Sequence, residues 1–187
     1  MASTYSSNLK IELITTGEKA TTWGTITNTN LGTALEESIV GSADVSFSSA
    51  NKTISLSNSN TSQDARNLRL NLTGTTGGTA RTLTVPDIEK AYIVNNGCSD
   101  AVSIKNSSGA AVSVPAGKTM WVYSTGSAVV DVVTALTSIT VGNISLASNA
   151  ITSTDTDGNI ALTPNGAGDV QLDADTVRVG DSNANAT

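Results

Sequence analysis

The chain has 187 residues, a formal net charge of −6 and no histidine. Charged residues make up 14% and aromatic residues 3%, against about 25% charged in ordinary globular domains. That balance offers no Lys/Arg cluster for a phosphate backbone and no imidazole for Ser-His-Asp, Cys-His or His-metal chemistry.

With one Phe, two Trp and three Tyr, the core must come from Val, Ile, Leu and Ala. The β layers are therefore thin, to be completed by stacked repeats or by neighbouring chains. Residues 1–8 form a polar arm without the basic start and apolar run of a signal peptide. Nowhere is there an apolar run of about 18 residues, so no membrane insertion is expected.

Leu9-Lys10-Ile11-Glu12-Leu13-Ile14 alternates and predicts a strand with Leu9, Ile11 and Leu13 on one face. Thr15–Lys19 follows as a turn, and Thr22-Trp23-Gly24-Thr25 carries an isolated Trp. Residues 29–41 predict the one helix. Asn28, Thr29 or Asn30 can cap it, Leu31, Leu35 and Ile39 recur at i, i+4, i+8, and Gly41 stands where a C-terminal cap belongs. At about three turns it is too short to stand alone in water, so its stripe must be buried on something. Glu36 and Glu37 are expected to face outward.

Nine alternating segments fill 43–133: Val45–Phe47, Thr53–Leu56, Leu68–Leu72, Thr82–Val85, Tyr92–Val94, Ala101–Ile104, Val112–Val114, Met120–Tyr123 and Val129–Val133. Their spacing of roughly 8–12 residues predicts a β-sandwich or small barrel. Gly74-Thr75-Thr76-Gly77-Gly78 predicts a hairpin loop, since no Lys-Ser/Thr follows to make a phosphate cradle. Trp121 and Tyr123 share one face of a strand. That face is expected to be core; the competing reading is a sugar-stacking platform. Cys98, the lone cysteine, is a turn or strand-end thiol with no base to activate it.

From residue 134 a five-residue phrase recurs: Gly142-Asn143-Ile144-Ser145-Leu146, Gly158-Asn159-Ile160-Ala161-Leu162 and Gly168-Asp169-Val170-Gln171-Leu172, with an altered echo at Val177–Asp181. Short strands punctuated by Gly-Asn and Gly-Asp turns predict an elongated β-stack. Asp155, Asp157 and Asn159 open like a calcium loop, but Ile160 replaces the glycine and Gly166 the closing carboxylate, so a plain polar turn is expected. Asp169, Asp173, Asp175 and Asp181 are expected to form a solvated ridge. No metal, cofactor or catalytic residue is assigned.

Three segments together resemble tail fibre proteins of marine tailed phages, particularly podoviruses of cyanobacteria. Thr22 through Ile39 resembles their N-terminal signature. Val85–Asn96 with Ile104-Lys105-Asn106 and Val114–Thr119 looks like the β-rich module behind it, and Gly158–Gly166 resembles the shaft repeats. The resemblance implies a homotrimer whose N-terminal part attaches to a tail adaptor or nozzle protein. Host receptors would be met only through distal regions, and the chain would be made in the host cytoplasm and end in the virion.

The expected organisation is all-β with one short N-terminal helix: 1–42 for attachment, 43–133 a β-sandwich-like module, 134–187 the start of a shaft that continues in a longer polypeptide. Tyr5, Leu9, Ile11, Leu13 and Trp23 are the expected attachment residues. Leu31, Leu35, Ile39, Ile144, Leu146, Ile160, Leu162, Val170 and Leu172 are the expected trimer core. A carbohydrate-binding β-module and a head appendage or decoration protein are the alternatives.

Overall fold

The computed structural model describes residues 3–136, 138–147, 150–164 and 166–173. The chain divides into two compact units, Met1–Thr134 and Ala135–Thr187.

In the first unit, β1 (Thr4–Tyr5) pairs antiparallel with β2 (Glu12–Leu13). The strand expected across 9–14 is thus only two residues long. Lys10 takes a left-handed φ of 56°, which breaks the alternation. Glu12 is buried and Leu13 exposed, so the expected apolar face is inverted.

The helix, α1, begins six residues earlier than the apolar pattern suggested. It runs through α turns Trp23–Thr29, a wide-turned π stretch Asn30–Leu35 and a last α turn Glu36–Ile39. Thr22 precedes it without a side-chain capping bond, and the three expected caps lie inside it. Gly41 sits just past its end, where its N–H donates to the carbonyls of Glu36 (3.0 Å) and Glu37 (3.1 Å).

Strands β3 (Ser42–Ser48), β4 (Lys52–Thr53), β5 (Arg69–Thr75), β6 (Arg81–Thr84), β7 (Glu89–Asn96), β8 (Val102–Lys105), β9 (Ala111–Val114), β10 (Thr119–Thr125) and β11 (Val129–Asp131) follow, with a 3-10 turn at Asp64–Arg66. From β3 to β8 the chain alternates between two sheets. β3, β5 and β7 join one through parallel ladders, and β4, β6 and β8 join the other in the same way. This is the winding of a short β-solenoid. The last three strands fold back antiparallel, giving open sheets ordered β11-β10-β7-β5-β3 and β4-β6-β8-β9.

Because β5 and β6 belong to different sheets, Gly74–Gly78 is a passage between layers and not the expected hairpin loop. Gly74, Gly77 and Gly78 all take positive φ there.

Period-two alternation turns Val45, Phe47, Leu70, Leu72, Tyr92, Val94 and Val122 of one sheet toward Leu83, Val102, Ile104, Val112 and Val114 of the other, in one core. Each fully buried aliphatic side chain contributes about 1.5–3 kcal/mol.

Where the chain leaves a ladder, buried amides satisfy the stranded backbone groups. Asn96 donates to the carbonyls of Asp100 (3.0 Å) and Val114 (2.9 Å) and accepts from the Cys98 N–H (3.0 Å). Asn106 donates to Pro86 (2.8 Å) and to Ser124 Oγ (3.0 Å), which donates to Ile88 (2.6 Å).

The second unit holds an antiparallel meander, β12 (Ser138–Val141), β13 (Ile144–Ala147) and β14 (Ala150–Ser153). Val141 pairs with Ile144, so Gly142-Asn143 is a two-residue hairpin loop, with Gly142 at φ 58°.

Candidate association and attachment surfaces

Arg66 is fully buried and holds three distant segments together. Its Nε donates to the Leu9 carbonyl (2.9 Å), its Nη1 to Glu37 Oε2 (3.0 Å) and the Thr61 carbonyl (2.8 Å), and its Nη2 to the Ser59 carbonyl. Glu37 is therefore not the outward carboxylate expected of it. It is buried in an ion pair and also accepts the Gln63 N–H. A guanidinium carries enough donors to satisfy all these acceptors at once. Nothing in the pattern Gln63-Asp64-Ala65-Arg66 marks it, because an Arg in a polar loop ordinarily points to water.

The arm is tied down as well. Asn30 of α1 bridges the Glu12 backbone, accepting its N–H (3.2 Å) and donating to its carbonyl (2.8 Å). The Glu12 carboxylate accepts from Asn60 (3.3 Å) and lies 4.0 Å from Lys19. Tyr5, Leu9 and Ile11 are half-buried in this arrangement, while Leu13 and Trp23 remain exposed, Trp23 at 60%.

The helix therefore seats itself through Asn30, Ala34 and Glu37, a small and polar face. Its apolar side, Trp23, Leu31, Leu35 and Ile39, stays in water, as does Val40 just past its end. In an ideal α-helix each four-residue step overshoots a turn by about 40°, which would wind that stripe around the axis. The π stretch takes more residues per turn and cancels part of the drift; its signature is the Glu36 N–H donating to the Leu31 carbonyl. The stripe stays on one side as a result.

The outer face of the five-stranded sheet is divided. Over β3 and β5 it carries Ser42, Asp44, Ser46 and Ser48 beside Arg69, Asn71, Thr73 and Thr75. Over β7, β10 and β11 it is apolar at the centre, at Ala91, Ile93, Trp121, Tyr123 and Val130, and polar at both ends, with Glu89 and Thr125 at one and Asn95 and Thr119 at the other. Trp121 pairs across strands with Ile93, and its carbonyl accepts the Val132 N–H; Tyr123 pairs with Ala91 and with Val130. The Trp121–Tyr123 face is therefore the outside of the module, with Trp121 53% exposed. The expectation that it is core is overturned. Met120, Val122 and Ser124 are the β10 residues that point inward, Met120 only partly buried.

In the second unit, Ile139, Val141, Leu146 and Ile151 are exposed on one face of the meander, with Ile144 half-buried among them. Of the three phrase copies only the first is paired. Gly158–Leu162 and Gly168–Leu172 form no strand, and Ile160, Leu162, Val170 and Leu172 are exposed. The echo Val177–Asp181, like Asp175, lies outside the described residues. Asp155 accepts from the Asn143 side chain, and its carbonyl accepts the Gly158 N–H (3.3 Å), so it is a turn acceptor.

Among the described residues no three acidic or cysteine side chains gather as a metal site, and no helix is long and apolar enough to cross a membrane. Cys98 is buried. Its thiol donates to the Thr73 carbonyl, and burial with the nearby Asp100 charge raises its pKa. Asp87 is held low by bonds from the Ser107 hydroxyl and N–H.

Comparison with protein-family models, curated proteins and solved structures finds no match to this chain.

Proposed function

We propose that this chain is a structural virion protein, the tail-proximal part of a homotrimeric phage tail fibre. It would be made in the host cytoplasm and incorporated in the virion tail. Its N-terminal region docks on an adaptor or nozzle protein, and distal parts serve host recognition.

The main support is the repeat region. Among the described residues two copies of the Gly-Asn/Asp phrase form no strand, and four of their apolar side chains stand in water. Strands from neighbouring copies would pair them and close the open edges. The uncovered stripe on α1 asks for a partner in the same way, and the attachment residues Tyr5, Leu9, Ile11, Leu13 and Trp23 lie on the arm and helix beside it.

Light scattering on the intact protein should give three times the chain mass, and labelled particles should carry it at the tail. A monomer ends the fibre reading. Deleting residues 2–28 should release fibres from purified virions; fibres that stay attached remove the docking role.

Exposure of Trp121 beside the half-buried Tyr123 favours a carbohydrate platform as the second reading. Glycan-array binding by the full chain, lost in Trp121→Ala, would support it, and a flat array would end it.

A further inference from the structure

We infer that residues 3–39, the arm and α1, form a strap that opens from the β module as one unit while the module stays folded, with the Glu37–Arg66 pair as its catch.

The core runs from Ala43 to Val129 and, among the described residues, takes no side chain from 3–41. Ala34 is fully buried yet lies outside it. What ties the strap down is polar and converges on a small area. Glu37 accepts from Arg66 Nη1 (3.0 Å) and the Gln63 N–H (3.2 Å) through its carboxylate, and from the Leu68 N–H (2.9 Å) through its carbonyl. The Leu9 carbonyl accepts from Arg66 Nε (2.9 Å) and the Glu12 carboxylate from Asn60 (3.3 Å). These donors all lie within residues 60–68. That stretch belongs to the module, since Ala65 is in the core and its carbonyl accepts the Tyr92 hydroxyl (3.1 Å).

Hydrogen bonds given up on opening are replaced by bonds to water, at small net cost. Opening the module exposes apolar area instead, and the cost grows with that area. The strap therefore stands at the low end of local stability in this unit and the core strands at the high end. The boundary falls at Val40, which leaves helical geometry at φ −130° and ψ −6°. Beyond it the Gly41 carbonyl already accepts the Arg69 N–H (3.0 Å). The Asn30–Glu12 bridge lies within the strap and couples arm to helix, so the two leave together. Once released, α1 has no packing to hold its Gly-, Thr- and Asn-rich turns, and its amides exchange in that same step. The N-terminal region thus has a latched and a free state.

Hydrogen exchange on the full chain tests this. The amides of 27–39 should share one opening constant, larger than that of the β7 and β10 amides. Glu37→Gln keeps the shape but leaves Arg66 without its counter-charge in the latched state. It should speed exchange across 27–39 roughly tenfold or more, with β7 and β10 unchanged. Glu36→Gln, on the same turn but exposed, should change neither. Exchange of 27–39 no faster than that of β7 overturns the strap, and so does a graded series of rates along the helix, which is fraying. A Glu37→Gln chain that does not fold, or whose β7 amides accelerate equally, shows the two parts to be inseparable and overturns it as well. Equal effects of the two substitutions, or none from Glu37→Gln, overturn the catch.

Discussion

Arg66 and Lys90 are both cations held away from water, and the fold treats them in opposite ways. Arg66 meets a carboxylate and three carbonyls. Breaking a buried pair from one side costs about 3–5 kcal/mol because the other charge is left uncompensated. Arg66→Ala should therefore lower the denaturation midpoint sharply and expose residues 3–22 to protease; an unchanged digestion pattern would contradict the hub.

Lys90 lies under the sheet surface with its Nζ 4.9 Å from the centre of the Tyr92 ring, and among the described residues no carboxylate pairs with it. Burial lowers its pKa from 10.5 to about 8. The unfolded chain then holds this proton, and the folded chain does not, between about pH 8 and 10.5. Stability must rise with pH across that window, and the full penalty is present below it. Lys90→Met should raise stability at pH 7 by on the order of 1 kcal/mol and flatten the alkaline rise. A rise of equal slope in the variant would assign it to other groups.

At the scale of elements, alternation made every strand of the β module legible, because it reports which face a residue presents. It does not report which strand lies alongside. The parallel β3–β5–β7 winding was hidden for that reason, and Gly74–Gly78 had the composition of a hairpin loop while serving as a passage between sheets. Trp121 and Tyr123 were misassigned on similar grounds: alternation put them together, and their apolar character suggested the inside. The helix was legible only from Leu31 onward. Its first turns are rich in Gly, Thr and Asn, poor formers on their own, and the Asn30 bridge to Glu12 follows directly behind them.

Gly41 gives the test at this scale. A Cβ there would come within 2.3 Å of Asn67 Oδ1 and 2.5 Å of the Glu37 Cα. Gly41→Ala should cost roughly 2 kcal/mol or more, whereas Gly32→Ala, with open space around it, should stabilise the isolated chain by about 0.5–1 kcal/mol. Equal effects in thermal unfolding would refute the packing described at Gly41.

For the whole molecule, the division at Thr134 and Ala135 predicts a cut by limited proteolysis near residues 133–137. The released 1–134 fragment should melt where the same unit melts in the intact chain. A shift of more than a few degrees would mean the units stabilise each other.

The reach of Arg66 also sets a schedule. Leu9 and Glu37 emerge from the ribosome well before the guanidinium that fixes them, so the arm and helix have only the Asn30–Glu12 bridge between them until residues 59–66 follow. A chain ending at residue 60 should show no helical circular dichroism, and one ending at 134 should regain it. On that prediction the sticky stripe on α1 should stay shapeless during synthesis, when nascent copies on one message are crowded together. It becomes a defined surface only once its own module has closed.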